Sequence, residues 1–504
     1  MKKAIIFIRE NDFMALEEAV NCQKEGYEIF LVSCDKAAGM CHRNPLGSQL
    51  ICRLCTHMSS KFAKDLLKSS NMYHHLLLSQ LITDDMLMIA KNERFSYQTV
   101  QELKDITYHG VDIGYGAFST FVTVTRNVMP DFTVIEREII DFMMKHEIAM
   151  TLAVESYINE INPDLIVFHN GRFNNLKPWY NLSQSKGLHF VATETYTKSD
   201  GTMMKDNYYN ECPHSFEAIH KKILKAWKNC GKSGEEVGRI FFENRRNARP
   251  AGDVIYTKDQ QQGLLPKNFN PNKRIITIFN SSEDEFFAIS KEHDKALLFK
   301  NQFVGLKELF ERYKTDNTIH FYLRIHPNLK SVPWRSHQDL YNLKYENVTI
   351  IPPTSPVSSY ALLDVSNEII VFGSTMGLEA SYWGKPVINV VTTFYSKLGV
   401  VYEPKDIQEF YKYLDDTNLP SINKKRECYM AACYCMGYYS DNFEYYHNKI
   451  YQWHGQVYSL KKLLGSSKLF QVVNLLITKF SQYFGNGKRF RLLLLEKQIM
   501  NDYN

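Results

Sequence analysis

The sequence predicts an α/β protein: parallel sheets covered by helices, in two successive units. Three observations carry this. Buried strands alternate with helices from the first residues, the same alternation restarts near residue 274, and a polar stretch rich in Asn, Gly and Pro separates the two. At 504 residues with 44% apolar side chains the chain has ample core and exceeds one ordinary domain.

Residues 3–8 (Lys-Ala-Ile-Ile-Phe-Ile) read as a buried strand, 13–24 as an amphipathic helix closed by Gly26, and 27–33 as a second strand. The α/β text resumes with a helix over 149–161 stopped at Asn162-Pro163, then strands over 165–168 and 190–193. Between these parts lies an insertion. Its residues 56–110 carry Leu, Met and Tyr at helical spacing, followed by a glycine-marked turn, Gly110 to Gly116, around Asp112. Residues 244–272, with Arg249-Pro250-Ala251-Gly252, Pro266 and Pro271, have the composition of an interdomain linker. The second unit then offers strands over 274–279, 320–325, 348–351, 368–372 and 386–390, with a helix over 306–313. The expected organisation is an N-terminal domain over 1–255, a second domain over 256–425, and C-terminal helices over 426–504.

Composition narrows the partners. Sixty Lys and Arg against 55 Asp and Glu leave a net charge of +5, and the excess is local. Residues 461–504 hold eight basic residues against Glu496 and Asp502, so the rest is close to neutral and no general nucleic-acid surface is expected. Residues 468–484 place Leu469, Val473, Leu476, Phe480 and Tyr483 on one helical stripe beside Lys488-Arg489-Phe490-Arg491, a pattern suited to an anionic membrane surface. Arg9, Glu10 and Asp12 cut the first apolar run too short for a signal peptide, and no run reaches the roughly 18 residues of a membrane span. The expectation is a cytoplasmic protein, peripheral on the inner face of the cytoplasmic membrane. In that reducing compartment the ten cysteines are free thiols or metal ligands. Cys41, Cys52 and Cys55, with Cys34, His42 or His57 as a fourth ligand, would suit a structural zinc. Cys428, Cys433 and Cys435 lie on an aromatic-rich helix and read as core.

In the second unit polar residues gather at predicted strand ends, where open parallel sheets hold their ligands. Gly373-Ser374-Thr375-Met376-Gly377-Leu378-Glu379-Ala380 follows a strand and opens a helix. Its glycines permit close approach, its hydroxyls and N–H groups suit phosphate oxygens, and Glu379 suits a ribose hydroxyl. Arg324-Ile325-His326-Pro327 ends another strand with a guanidinium and an imidazole. Ser281-Ser282 and Ser358-Ser359-Tyr360 stand at corresponding places. Four such sites in one unit describe a nucleotide cradle better than they describe ordinary helix capping.

These motifs, together with Gly384-Lys385-Pro386-Val387-Ile388, resemble the carboxyl-terminal half of bacterial capsule polysaccharide biosynthesis proteins, which include the Kdo transferases and related GT-B glycosyltransferases. The resemblance covers roughly 270–405. It implies two Rossmann-like domains facing a central cleft, with a nucleotide-sugar donor on the second and the acceptor on the first. It also implies that the His-Pro and Ser/Thr motifs grip the phosphate of a CMP-sugar, with a UDP-sugar next in order.

The first half offers His169-Asn170-Gly171-Arg172 at a strand end, where Asn170 and Arg172 are candidates for binding an anionic acceptor. Transfer needs a base for the acceptor hydroxyl, and by position the candidates are Asp112, Glu194, His169, Glu10 and Asp12, with Asp112 or Glu194 favoured. The donor set is Ser281, Ser282, Arg324, His326, Ser358, Tyr360, Ser374, Thr375, Gly377 and Glu379, with His326 also counted among the catalytic groups. No Asp-x-Asp motif dominates, so no cofactor is expected for catalysis and a structural zinc is the one metal in view. The expected function is transfer of a sugar from a nucleotide donor to a surface polysaccharide or lipid-linked glycan. A GT-B nucleotide-sugar epimerase and a non-catalytic scaffold of a polysaccharide assembly complex are the alternatives.

Overall fold

The computed structural model describes residues 1–459 apart from 10, 11, 46, 68–72, 253, 296, 333, 448, 449, 454 and 455. The chain forms two units. Unit 1 comprises Met1–Tyr196, Met203–Pro213 and the chain from Asp441, and unit 2 comprises Thr197–Thr202 and His214–Ser440.

Unit 1 is built on a six-stranded sheet in the order β3-β2-β1-β4-β5-β6. Its strands are β1 (Lys3–Ile8), β2 (Glu28–Ser33), β3 (Tyr73–Leu77), β4 (Leu165–His169), β5 (Phe190–Thr193) and β6 (Tyr208–Tyr209), all parallel except β6. Ala4 to Ile8 are fully buried, as a central parallel strand with helices on both faces requires. Helix α1 (Phe13–Lys24) starts where the Asp12 carboxylate accepts from the Ala15 N–H at 3.2 Å. The chain turns back to β2 through Gly26 at φ +82°.

The insertion departs from expectation in two ways. After helix α2 (Gln49–Leu67), its residues 73–77 add the edge strand β3, whose sequence Tyr-His-His-Leu-Leu lacks the apolar alternation that marks a strand. The glycine-marked stretch is mostly helix: α3 (Ile113–Thr125) begins within it, and only Gly110, at φ +77°, makes a turn. Gly114 and Gly116 are there for contact. A Cβ on Gly114 would lie 1.8 Å from the Leu103 carbonyl oxygen, and one on Gly116 would lie 2.4 Å from Oε1 of Glu147, on the long helix α4 (Val134–Ile161).

Unit 2 is a five-stranded, wholly parallel sheet in the order β9-β8-β7-β10-β11: β7 (Arg274–Phe279), β8 (Ile319–Arg324), β9 (Val348–Ile351), β10 (Glu368–Val371) and β11 (Val387–Asn389). Both units thus have the Rossmann-like arrangement, with a topological switch between the first and fourth strands of each sheet. The register pairs Phe279 with Arg324 on one side and with Val371 on the other, so three strands end level.

The domain limits differ from those read in the sequence. After the short excursion Thr197–Thr202 the chain enters unit 2 for good at His214, and the stretch expected as a linker belongs to that unit. The segment expected as C-terminal helices divides. Lys425–Cys435 is a helix of unit 2 with Cys428 and Cys433 in the core, whereas Phe443, Tyr445 and Tyr446 pack on α1 in unit 1. The carboxylate of Glu17 accepts there from the Glu444 N–H at 2.6 Å and the Tyr445 N–H at 3.3 Å. Tyr446–His447, Ile450–Trp453 and Gln456–Ser459 are antiparallel strands. The amphipathic stretch 468–484 lies outside the described residues. No helix among the described residues is long and apolar enough to cross a membrane.

The loop after β7 is braced by a buried carboxyl. Glu283 accepts from the Gln302 N–H at 2.7 Å, and the Gln302 amide accepts from the Ser281 N–H at 3.3 Å and donates to the Ser281 carbonyl at 3.2 Å. Burial pushes the Glu283 pKa from 4.5 to about 7. The folded chain therefore keeps a proton that the unfolded chain releases above 4.5, and stability falls as pH rises from about 4.5 to 7. The loss attributable to this group is about 3 kcal/mol, taking about 1.4 kcal/mol per pKa unit. Urea midpoints measured across that window should decline less in Glu283→Gln, whose amide keeps the bond from Gln302 without titrating. Parallel declines in both proteins would refute this.

Candidate functional site

The level strand ends of unit 2 open onto a cavity of about 520 Å³, mouth included, at the switch point of its sheet. Its wall draws on Phe279 and Asn280 after β7, Arg324 and His326 after β8, Ser374 and Thr375 after β10, and Ser359 and Tyr360 in helix α6 (Ser359–Val365). Arg245, near the end of the helix Gly234–Arg246, and Tyr256, Thr257 and Gln260 complete it.

Arg324 is the central charge. It is 3% exposed, and Nη1 and Nη2 donate to the carbonyls of Pro352 (3.0 Å) and Ser355 (3.1 Å). Among the described residues no carboxylate pairs with it, and its Nε, although buried, has no hydrogen-bond partner. Burial lowers its pKa to about 10, so the guanidinium remains charged at neutral pH. Asn280 is 1% exposed. Its Oδ1 accepts from the His326 N–H at 2.7 Å, while its buried Nδ2 and the buried Oγ1 of Thr257 lack partners. Unpaired buried donors each cost about 1–3 kcal/mol, so a wall carrying several of them suits a ligand that accepts hydrogen bonds. His326 Nδ1 accepts from the Asn328 N–H at 3.2 Å, which leaves the neutral imidazole its proton on Nε2. The ring packs against Tyr256, with centroids 4.8 Å apart.

Glu379, 1% exposed, sits in the short helix Met376–Tyr382 and is engaged internally. Arg245 Nε donates to its Oε1 at 2.9 Å, and the Tyr360 hydroxyl donates to its Oε2. Burial and the adjacent Glu379 raise the Tyr360 pKa, so the phenol keeps its proton. Arg245 also reaches Thr375 Oγ1 at 3.4 Å. Glu379 balances Arg245, and Arg324 is left as the cavity's uncompensated charge. A carboxylate can accept about four hydrogen bonds, so Glu379 retains capacity for a ligand hydroxyl.

Six of the ten expected donor residues line the cavity: Arg324, His326, Tyr360, Ser374, Thr375 and Glu379. The other four serve the scaffold. Ser281 Oγ donates to the Phe372 carbonyl at 2.5 Å, Ser282 donates to Asp284, and Ser358 caps α6 by accepting from the Ala361 N–H at 3.1 Å. Gly377 gives room to Tyr395, whose hydroxyl oxygen would stand 2.4 Å from a Cβ there. That same hydroxyl donates to the Ser374 carbonyl at 2.7 Å and so holds the loop. Arg245, Thr257, Gln260 and Asn280 lie outside the expected donor set, whereas Ser359 belongs to the expected Ser358-Ser359-Tyr360 site. Asn280 and Ser359 were visible in the strand-end and helix-start text, whereas Arg245, Thr257 and Gln260 lay in or beside what reads as linker.

In unit 1, Asn170, at φ +59°, donates through Nδ2 to Glu194, and its Oδ1 accepts from the Arg172 N–H at 3.0 Å. Arg172 Nε donates to Ser119 Oγ at 2.8 Å. Asp112 stands elsewhere, beside the buried Lys177 and Glu147. Burial lowers the Lys177 pKa, and the carboxylates of Asp112 and Glu147 oppose that shift. Glu10 lies outside the described residues.

The cysteines converge without forming a metal centre. Cys34, Cys41, Cys52 and Cys55 line one cavity of about 440 Å³, yet among the described residues no group of three or more His, Cys, Asp or Glu is placed to hold a metal ion. The zinc expected on Cys41, Cys52 and Cys55 does not fit this geometry. Cys52 Sγ instead accepts from Asn44 Nδ2 at 3.1 Å, and burial raises the pKa of Cys34, Cys41 and Cys52, keeping these thiols protonated.

No family model matches the chain, nor does any curated protein. Among solved structures it is similar to KpsC of Thermosulfurimonas dismutans, both as a beta Kdo 2,4 transferase (14% identity, 54% of this chain and 79% of that one, TM-score 0.35) and as a beta Kdo 2,7 transferase (14%, 64% and 89%, TM-score 0.32). It is also similar to UDP-GlcNAc 2-epimerase from Neisseria meningitidis bound to UDP-GlcNAc (14%, 86% and 98%, TM-score 0.26).

The Arg245–Glu379 pair yields a stability prediction. Glu379→Gln strands a buried guanidinium and should lower the unfolding free energy by about 3–5 kcal/mol. Arg245→Met combined with Glu379→Leu should cost less, because no charge is left unpaired. Urea unfolding of the single and double variants checks this, and a double variant as unstable as the sum of its singles would count against it.

Proposed function

We propose that the chain is a glycosyltransferase in which unit 2 holds a nucleotide-sugar donor and unit 1 holds the glycan or glycolipid acceptor. The single observation behind this reading is the buried guanidinium of Arg324, which pairs with no carboxylate among the described residues, on the wall of a switch-point cavity. When a glycosidic bond to a nucleotide breaks, negative charge gathers on the departing phosphate. Arg324, the Nε2–H of His326, Asn280 Nδ2 and the hydroxyls of Ser374 and Thr375 are donors already fixed on the wall where that charge would form. Glu379 and Tyr360 take the sugar or ribose hydroxyls. In unit 1, Glu194 at the end of β5 is the preferred base for the acceptor hydroxyl, ahead of Asp112, which is committed to the Lys177 cluster. The donor we favour is a CMP-sugar, with a UDP-sugar next, following the likeness of the His-Pro and Ser/Thr motifs to those of GT-B enzymes. The basic segment 461–504 would bring the enzyme to the inner face of the cytoplasmic membrane.

Melting of the full chain with CMP, CDP, UDP and GDP tests the donor site. A ligand at 100 times its Kd stabilises the folded state by about 2.7 kcal/mol. CMP should raise Tm most, and Arg324→Gln should remove that rise while far-UV dichroism stays unchanged. If none of the four nucleotides stabilises the protein, or if Arg324→Gln responds like the parent, the reading fails. Transfer by Arg324→Gln should fall about 100-fold or more, as on loss of a comparable transition-state donor.

A further inference from the structure

Among the described residues, the cavity of unit 2 has Phe279, Tyr360 and Tyr256 on its wall, and these rings differ in exposure. Phe279 and Tyr360 are 3% and 6% exposed, and the Tyr360 hydroxyl is engaged with Glu379. Tyr256 is 39% exposed, so it is the ring of the three that offers surface to a ligand. It packs on the His326 imidazole with centroids 4.8 Å and planes 66° apart, beside the donors that would face a phosphate. Gln260 stands on the same wall with its carboxamide oriented: Oε1 accepts from the Ser359 N–H at 2.7 Å. That contact uses the oxygen, and among the described residues Nε2 has no hydrogen-bond partner, so the group has only donors to offer. The segment carrying both residues is anchored to the loop that holds Arg324. Gln261 N–H donates to the Pro356 carbonyl at 2.8 Å and Ser358 N–H to the Leu264 carbonyl at 2.9 Å, while Arg324 donates to the carbonyls of Pro352 and Ser355.

We propose that Tyr256 and Gln260 form the nucleobase subsite of this cavity, and that the subsite selects cytosine. Tyr256 touches His326, so a nucleotide whose phosphate meets Arg324 and His326 extends its nucleoside end toward that ring. Stacking on Tyr256 accepts any base, because every base has a π-face. The edge contact discriminates. Cytosine presents two adjacent acceptors, O2 and N3, whereas N3 of uracil carries a proton. A carboxamide that can only donate pairs with the first edge and meets a second donor on the other, which leaves its own N–H unpaired in a partly buried place. The inference deepens the proposed function and rests on it in one respect, that a nucleotide occupies this cavity.

Calorimetric titration of the full chain with CMP, UMP and ribose 5-phosphate tests it, since the third shares the phosphate and ribose and has no base. CMP should bind about tenfold or more tighter than ribose 5-phosphate, as stacking one base on an aromatic ring provides. Tyr256→Ala should weaken CMP by about tenfold and leave ribose 5-phosphate unchanged, whereas Tyr256→Phe should bind CMP like the parent. A ring with a structural role alone would move both ligands together. Gln260→Glu keeps an oxygen for the Ser359 N–H and replaces the donor by an acceptor, so the parent's preference for CMP over UMP, expected to be about tenfold, should invert. Far-UV dichroism verifies that each variant folds. Equal weakening of CMP and ribose 5-phosphate in Tyr256→Ala, a CMP advantage that survives there, or an unmoved CMP-to-UMP ratio in Gln260→Glu overturns the inference. Ribose 5-phosphate binding as tightly as CMP would leave a phosphate site and overturn the base subsite alone. A parent chain that binds none of the three overturns the donor reading and this inference with it.

Discussion

The hydrogen-bonded register of β8, β7 and β10 is the constraint on which the candidate site depends. A parallel ladder that pairs Phe279 with both Arg324 and Val371 forces three strands to end together, and the residues that follow can no longer pair within the sheet. Asn280, Ile325-His326 and Phe372-Gly373-Ser374 therefore leave at one edge. Their polar groups turn either to each other, as the Asn280 carboxamide does to the His326 N–H, or to the cavity. A slip of one residue in β8 would turn the Arg324 side chain to the opposite face of the sheet and dissolve the site without changing the composition of its loops.

The two units apply one topology to different charge problems. In unit 2, Glu379 neutralises Arg245 and receives the Tyr360 hydroxyl, while the guanidinium of Arg324 on the same cavity pairs with no carboxylate among the described residues. In unit 1, the corresponding strand ends bring the guanidiniums of Arg9 and Arg172 to 5.9 and 5.6 Å from the Phe173 ring, beside His42 and His169, whose pKa values burial lowers. In unit 2 the Arg324 guanidinium is a dehydrated cation on a wall that also carries the unpartnered Nδ2 of Asn280.

Several residues named from the sequence stand one step behind the cavity wall. Ser281 and Ser282 tie the loop after β7, Ser358 caps α6, and Gly377 makes room for Tyr395, which in turn pins the Ser374 carbonyl. A hydroxyl at a strand end signals that the loop needs a hydrogen-bond partner, and the signal is the same whether that partner is a ligand or the next loop. The opposite error concerns residues 244–272. Their Asn, Gly and Pro content suits a linker, yet irregular backbone also suits a cavity wall, and Arg245, Thr257 and Gln260 serve that purpose.

The sequence alone determined the alternation of strand and helix, the central strands of both sheets, and the strand ends where Arg324, His326, Ser374 and Thr375 stand. These follow from burial periodicity and local turn chemistry, which act over a few residues. The edge strand β3, the passage of the chain from unit 2 back into unit 1 at Asp441, the pairing of Arg245 with Glu379 and the lack, among the described residues, of a carboxylate paired with Arg324 were decided by tertiary structure. Each of these depends on which distant residue arrives as a neighbour. Arg245 and Glu379 are 134 positions apart, and no local pattern distinguishes an arginine that will meet a carboxylate from one that will be left to an anion.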